Sequence, residues 1–444
     1  MLHFKKILLL LAAALTLTGC SAVNFSVEGL ISAPKFTKEQ SKIHEALIQA
    51  VGSNITLKYP KSGDNRSAYV IANIDNEPGE EALVFYEYVG AGKKEGLWVN
   101  VLDKNDDGDW VSVGELAGTG TEVSKVIIAP MGNNNDIQVL VGYQNMTSDE
   151  KSLQIYNYYN QVFKVVGTDT YSLLEAFDIT GNGSNELIII QRSSDYEGKN
   201  NQYIASLLEM NDTGFCKSGT VKMCSNVTSY VNMTTEISKD GKRAIYIDEL
   251  TNKNQLQTEI LYYENSQLVN PIEQNRKKLL PLCTRPVGYY SSDIDNDGVV
   301  EIPVETPLLG YENAVADEQL MMTNWLEYDG SEQFKVKLSG YYSLSDGYAM
   351  TYPKRWEDQI TVKKDKDSKE TVFYKYDGDI NGTMTELMRV AAVSEDNRAE
   401  YIDKGYQTVE THGKLYYMVK LPKETKEPLV LTIDELKNSF YIVD

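Results

Sequence analysis

The sequence predicts a mainly β fold: a five-bladed β-propeller, with six or seven blades as alternatives, followed by a small C-terminal α+β domain. Two repeated features predict the ring. An acidic loop recurs ahead of hydrophobic strands, and a hairpin closed by an aromatic residue or Leu recurs about every 53 residues. The third observation is length, since 444 residues exceed one typical core and call for several folding units.

The first residues read as an export signal. Lys5 and Lys6 form a basic start, Ile7 to Leu15 an apolar stretch, and Leu17-Thr18-Gly19-Cys20 a small-residue ending. The stretch is too short for a stable membrane span. Its ending resembles the lipobox of bacterial lipoproteins, whose Cys carries a diacylglycerol. That resemblance implies that residues 1–19 are removed and that Cys20 is the lipid anchor. The expected location is the cell membrane, with the body facing outside the cytoplasm. Losing residues 1–19 takes away two lysines and no acid, moving the formal charge from −21 to −23. Such a balance repels nucleic acid, so no nucleic-acid partner is expected.

Residues 20–36 read as a tether rich in Ser, Ala, Gly and Pro. Residues 37–54 hold an N-terminal helix. Thr37-Lys38-Glu39-Gln40 is a capping box, and Ile43, Ala46, Leu47, Ala50 and Val51 follow at helical spacing, predicting a helix over 38–51.

Residues 55–345 carry the repeats, with residues 55–74 expected to complete the last blade. Asp293-Ile294-Asp295-Asn296-Asp297-Gly298-Val299-Val300-Glu301 places acids at positions 1, 3, 5 and 9, with Gly at position 6. Oxygens at alternate positions converge if the backbone curls, as a hard cation such as Ca²⁺ requires. Asp293, Asp295, Asp297 and Glu301 are the candidate side-chain ligands, with the Val299 carbonyl as a fifth oxygen. The competing reading is an Asp-rich turn whose carboxylates bond backbone amides. Asp178, Thr180, Asn182, Ser184 and Glu186 form a less charged copy, and Asn73–Glu81 a third with Pro78 in place of Gly. Degenerate copies fall at 131–136 and 238–242. Asp103–Gly108 mimics such a loop but reads better as a hairpin turn.

The hairpins close at Trp110, Phe163, Phe215, Leu268 and Phe334. The longer last step suggests an insertion around 305–320. A unit of this length holds about four strands, and repeated four-stranded units suggest a propeller, whose closure covers sheet edges. An acidic loop followed by a hydrophobic strand resembles the FG-GAP or VCBS class of propeller repeats, also seen in integrin α-subunits. The resemblance is good at Asp293–Glu301, fair at Asp178–Glu186 and weak at Asn73–Glu81. It implies calcium at the same loop positions, although Asp is more usual than Glu at position 9.

Residues 346–444 read differently. Strand candidates are Gln359–Val362, Thr371–Tyr376, Met384–Val393 and Leu415–Leu421. Ser394 opens a helix over 395–404, and the capping box Thr432-Ile433-Asp434-Glu435 opens another. Mixed strands and helices suggest a separate α+β domain, with further degenerate blades as the alternative. Of the three remaining cysteines, Cys216 and Cys224 flank a short strand–turn region and are a candidate disulfide; free buried thiols are the other reading, with Cys283 buried.

Catalytic motifs are sparse. Only His44 and His412 remain beyond the signal, neither at metal-ligand spacing, and no G-x-S-x-G elbow or Walker loop occurs. Ser148-x-x-Lys151 matches a short hydrolase motif in a polar loop. The 64 acids leave carboxylate catalysis open without defining a pair. Thirty tyrosines, Tyr262 and Tyr263 among them, suit half-buried strands or a sugar- or protein-binding rim. The expected role is a non-catalytic binding scaffold for a protein or glycan, stabilised by calcium. The alternatives are a carbohydrate-active enzyme using channel acids and an envelope-assembly or sensory accessory lipoprotein.

Overall fold

The structure is a computed structural model describing residues 36–90, 95–145, 150–194, 201–211, 214–315, 318–330, 333–423 and 426–443. Cys20, the signal and most of the tether lie outside the described residues, as does Ser148.

The chain opens with helix α1 (Lys38–Val51). Its capping box is formed as the sequence requires: Thr37 accepts from the Gln40 amide at 3.1 Å, and the Gln40 side chain accepts from the Thr37 amide at 3.0 Å. Among the described residues six antiparallel sheets follow. The first holds β1 (Ile55–Leu57), β2 (Tyr69–Ala72), β3 (Glu81–Tyr88), β4 (Leu97–Lys104) and β5 (Trp110–Ala117). The second holds β6 (Glu122–Met131), β7 (Asp136–Gln144), β8 (Lys151–Tyr159) and β9 (Val162–Tyr171). The third holds β10 (Leu173–Phe177), β11 (Glu186–Ser194), β12 (Asn201–Asn211) and β13 (Gly214–Lys222). The fourth holds β14 (Val227–Ile237), β15 (Arg243–Thr251), β16 (Gln255–Glu264) and β17 (Gln267–Val269). Two single-turn helices, α2 (Pro271–Gln274) and α3 (Arg276–Leu279), then interrupt the pattern, and β18 (Arg285–Pro286) returns to pair with β16. The fifth sheet holds β19 (Ile302–Pro307), β20 (Met321–Tyr328), β21 (Phe334–Ser343) and β22 (Tyr348–Thr351). The sixth holds β23 (Ile360–Lys364), β24 (Thr371–Lys375), β25 (Thr385–Ser394), β26 (Gln407–His412) and β27 (Leu415–Lys420). Helix α4 (Glu395–Asp403) lies between β25 and β26; α5 (Ile433–Ser439) precedes β28 (Phe440–Ile442), which pairs with β22.

The repeat found in the sequence is a repeat in space. Trp110, Phe163, Phe215, Leu268 and Phe334 all lie at the start of the strand after a hairpin, paired with Lys104, Tyr158, Met210, Tyr263 and Tyr328. Four of these hairpins also share a register shift, at Val101/Leu102, Ile155/Tyr156, Leu207/Leu208 and Trp325/Leu326. Such bulges increase local twist, so one device bends four of the sheets in the same place.

The runs Ala82–Tyr86 and Leu187–Ile190 are apolar throughout because both faces of their strands are covered. Leu83 and Phe85 pack toward the second sheet, while Ala82, Val84 and Tyr86 pack with Ile43 and Leu47 of α1. The cores run in chain order. Apolar clusters join sheets one and two, two and three, three and four, four and five, and five and six. The outer face of the first sheet is covered by α1, and the sixth packs a small cluster that includes Tyr401 of α4.

Two expectations are corrected, and of the two readings of Cys216 and Cys224 the disulfide is excluded. Residues 55–72 pair with β3 in the first sheet and do not complete the last one, because β1 and β2 sit beside their neighbour in sequence. Part of the extra length before Phe334 is the helical insertion at 271–283, besides the segment between β19 and β20. Cys216 and Cys224 are free thiols. They lie near opposite ends of the extended strand β13, about 25 Å apart at strand rise, well beyond disulfide reach. The residues beyond 346 supply sheet six and two helices, and their core includes Tyr341, Tyr348 and Met350 of the fifth sheet.

Candidate functional site

The acidic loops lead directly into β3, β11 and β19, where the chain must turn within a few residues. Position 4 is left-handed in each: Asn76 (φ 67°), Gly181 (φ 75°) and Asn296 (φ 56°). At position 6, Gly298 has φ 92°, and an added Cβ would lie 3.1 Å from the Ile237 carbonyl. A side chain there would be both strained and crowded.

In the Asp293 loop the ends are tied to the backbone. Asp293 accepts from the Asp297 and Gly298 amides at 3.0 and 2.8 Å, Asp297 from Val299 at 3.0 Å, and Glu301 from Ile294 at 3.0 Å. The carboxylates of Asp293, Asp295 and Asp297 lie within 4.8 Å of one another, a group able to hold a metal ion. A cation of the chain's own already sits among the inner oxygens. Lys337 Nζ on β21 is 3.2 Å from Asp295, 2.8 Å from Asp297 and 2.7 Å from Glu301. These are positions 3, 5 and 9 of the loop.

The charges respond accordingly. Burial lowers the affinity of Lys337 for its proton, but hydrogen bonds to Asp297, Glu301 and Asp295 outweigh it and raise the pKa well above an ordinary lysine. The Lys337 bond holds Asp297 below the usual carboxylate range. Glu301 is fully buried, and burial pushes it up to about 7 despite the same lysine.

The Asp178 loop repeats the backbone ties: Asp178 accepts from the Asn182 and Gly183 amides, each at 3.0 Å. Its interior is filled by neutral donors. Glu186 Oε1 accepts from the Thr180 hydroxyl at 2.9 Å and from Asn182 Nδ2 at 3.0 Å, and Asn182 accepts from the Ser184 amide at 2.7 Å. Arg243 lies 3.4 Å from Asp178. In the Asn73 loop, Asp75 and Glu81 are joined by Asp103 from the neighbouring strand β4, all within 4.8 Å. Asp103 also accepts from the Tyr158 hydroxyl of the second sheet at 2.9 Å. Burial pushes Glu81 up to about 7. Asp103–Gly108 is the hairpin turn read from the sequence, yet Asp103 adds the third acid to that loop.

The Asp178 and Asp293 loops, but not the Asn73 loop, reach the wall of a cavity of about 700 Å³. Turns of the third, fourth and fifth sheets line it. Tyr246, Tyr262, Tyr263 and Tyr328 supply aromatic wall; Glu236, Asp240, Glu264, Glu327 and Asp329 supply acids, and Lys239, Lys242 and Arg243 supply cations. Val299, expected as a carbonyl ligand, is part of this wall, as is Thr180. Glu236 is buried and accepts from the Val300 amide at 3.0 Å, so it fastens the Asp293 loop to the fourth sheet. Burial raises its pKa, with Glu327 adding to the effect.

Sequence reasoning missed Lys337, Asp103 and the cleft. Lys337 sits in an ordinary alternating strand segment, Phe334-Lys335-Val336-Lys337, and nothing local marks it as a loop's counter-charge. Tyr262 and Tyr263 were visible as a pair, but their place on a cavity wall was not.

No family model and no curated protein matches the chain. Among solved structures, similarity extends to an exotype rhamnogalacturonan lyase, YesX (9% identity, 74% of this chain and 66% of that one, TM-score 0.31). It also extends to a hypothetical selenium-binding protein from Sulfolobus tokodaii (13%, 47% and 54%, 0.27) and a putative 6-phosphogluconolactonase from Bacteroides uniformis (10%, 75% and 94%, 0.33). The chain spans under two thirds of the first two. At these TM-scores the likeness carries no functional argument.

Proposed function

We propose that this protein is a lipid-anchored, extracytoplasmic scaffold of the β-propeller type that binds a glycan in the tyrosine-lined cleft without transforming it. The observation that carries the reading is the cleft itself. Its volume of about 700 Å³ suits a small ligand, and it combines aromatic faces with several carboxylates and three cations. Sugars present C–H faces that stack on tyrosine rings and hydroxyls that bond carboxylates. Cys20 supplies the anchor. The succession of antiparallel sheets packed face to face supports the blade reading.

Calcium belongs to this proposal as a stabilising ligand of the Asp293 loop, with Asp293, Asp295, Asp297, the Val299 carbonyl and Glu301 as its oxygens. It takes the place of the Lys337 ammonium. The Asp178 loop is the weaker candidate, since its interior is already satisfied by Thr180 and Asn182.

The test is isothermal titration of the mature chain with a panel of neutral and acidic oligosaccharides. Binding is expected to weaken at least tenfold in Tyr262→Ala/Tyr263→Ala, with the melting temperature little changed. Affinity unaltered by that double substitution would rule the cleft out. A second reading, a carbohydrate-active enzyme, is favoured by Glu236, a buried acid of raised pKa on the cleft wall beside Glu327. It requires release of reducing ends or unsaturated products by the wild type and their loss in Glu236→Gln.

A further inference from the structure

Sheet four buries polar clusters on both faces of β15 and β16, and it treats them differently. On one face Asp248 is paired with Arg285 at 2.7 Å, both side chains fully buried, with Thr258 and Ser291 completing the hydrogen bonds. On the opposite face, toward sheet three, lie Glu249 and Glu259, each fully buried. Glu249 is registered against Gln257, so Glu259 is its diagonal neighbour on the same face. Among the described residues no ion pair reaches either glutamate. Charged carboxylates in such a place require a counter-charge or a proton.

Two further groups converge there. Cys224, fully buried just beyond β13, donates its amide to both Glu259 oxygens at 3.1 and 2.9 Å. Its Sγ lies 3.3 Å from Glu273 Oε2, at the start of α2. Asn270 caps α2 by accepting the Glu273 amide, and its own Nδ2 holds Glu259 at 2.6 Å. The helical insertion thus delivers Glu273 to the thiol. One ligand atom from each of Cys224, Glu259 and Glu273 lies within 4.8 Å of the others.

An independent feature marks the spot. Glu249 Oε2 is held by Gln257 at 2.7 Å, while its buried Oε1 meets no N–H or hydroxyl donor and faces the Glu259 carboxylate. That carboxylate is fully buried, and it is near enough to act on both Glu259 and the Cys224 thiol. Burial, then Glu259 and Glu249, push the thiol far up.

We propose that Cys224, Glu259 and Glu273 form a binding site for a divalent cation of the zinc class between sheets three and four, with the neighbouring Glu249 carboxylate turning in as fourth donor when the metal binds. One thiolate and three carboxylates suit a four-coordinate borderline metal, whose ligands stand roughly 3.3–3.8 Å apart at bonds of about 2.0–2.3 Å. Calcium and magnesium, which take oxygen only, do not fit a set containing sulfur. Binding expels the thiol proton and any proton shared by Glu249 and Glu259. Entry is from the Glu273 side, where that side chain is 24% exposed. Arg276, 3.9 Å from Glu273 and bonded to Ser225 and Asn226, stands at this mouth.

The test is titration of the chelator-treated mature chain with Co²⁺, a spectroscopic stand-in for zinc. One equivalent is expected to bind with a thiolate-to-cobalt charge-transfer band. The band should vanish in Cys224→Ser and persist in Cys216→Ser, since Cys216 is exposed and remote. Glu273→Gln, at a partly exposed position, should weaken Co²⁺ at least tenfold and serves if Cys224→Ser fails to fold. Absence of the band from the wild type leaves the glutamates a proton-sharing pair and overturns the assignment. So does a band that survives Cys224→Ser, or an affinity unchanged by Glu273→Gln.

Discussion

Lys337 gives the clearest instance of one side chain deciding what a motif does. The Asp293 loop has the residue order of a calcium site, yet its inner oxygens meet an ammonium on β21. Removing that ammonium leaves Glu301 buried and unpaired. Lys337→Ala is therefore expected to cost about 3 kcal/mol in calcium-free buffer. Millimolar Ca²⁺ should restore most of the loss by mass action, while shifting the wild type little. Thermal melts of both proteins with EDTA and with Ca²⁺ check this, and a variant indifferent to calcium would remove the ion from the loop. Glu81 makes a second prediction. Burial lifts it from 4.5 to about 7, so the folded chain holds its proton through a range where the unfolded chain has lost it. Its contribution is thus full below the unfolded pKa and is lost as pH rises toward 7, and Glu301 acts in the same sense over the same window. Glu81→Gln keeps an acceptor for the Ile74 amide. It should flatten that slope and raise stability at pH 8 by about 1–2 kcal/mol, as denaturant melts across pH would record.

Among the elements, α1 has the largest consequence for its length. Ile43 and Leu47 are fully exposed to the sheet and closed to water, covering Val84 and Tyr86 on the face turned away from the second sheet. Leu47→Ala should cost about 3 kcal/mol through the cavity it leaves. Deleting residues 37–54 should have a different effect, because it bares a contiguous apolar sheet face. Concentration-dependent self-association in light scattering is the expected outcome; a monomeric, fully stable deletion would show that α1 is dispensable. The repeated hairpins show how far the pattern could be read. Their closing residues were legible because an apolar strand, a polar turn and an aromatic recur in order. The bulges beside them were not, since an extra residue in one strand leaves no distinctive letter.

For the whole molecule, the chief question is where the folding units end. Phe440 stacks on Tyr348, β28 pairs with β22, and the core of sheet six includes Tyr341 and Met350. Truncation after residue 345 should therefore unfold the fifth sheet as well, seen as lost cooperativity in calorimetry, and cleavage near 346 should release no independently stable fragment. A sharp, unchanged transition in the truncated chain would instead establish two separate domains. The sequence alone was sufficient for the β class, the repeat length, the capped helices at Thr37 and Thr432, and the acidic loops, because each depends on neighbours a few residues apart. Lys337 in the Asp293 loop, Asp103 beside Glu81, the meeting of Cys224 with Glu259 and Glu273, and the helix standing on the first sheet were decided only by the tertiary structure. Those groups are brought together from distant segments, and burial then sets the charge each one carries.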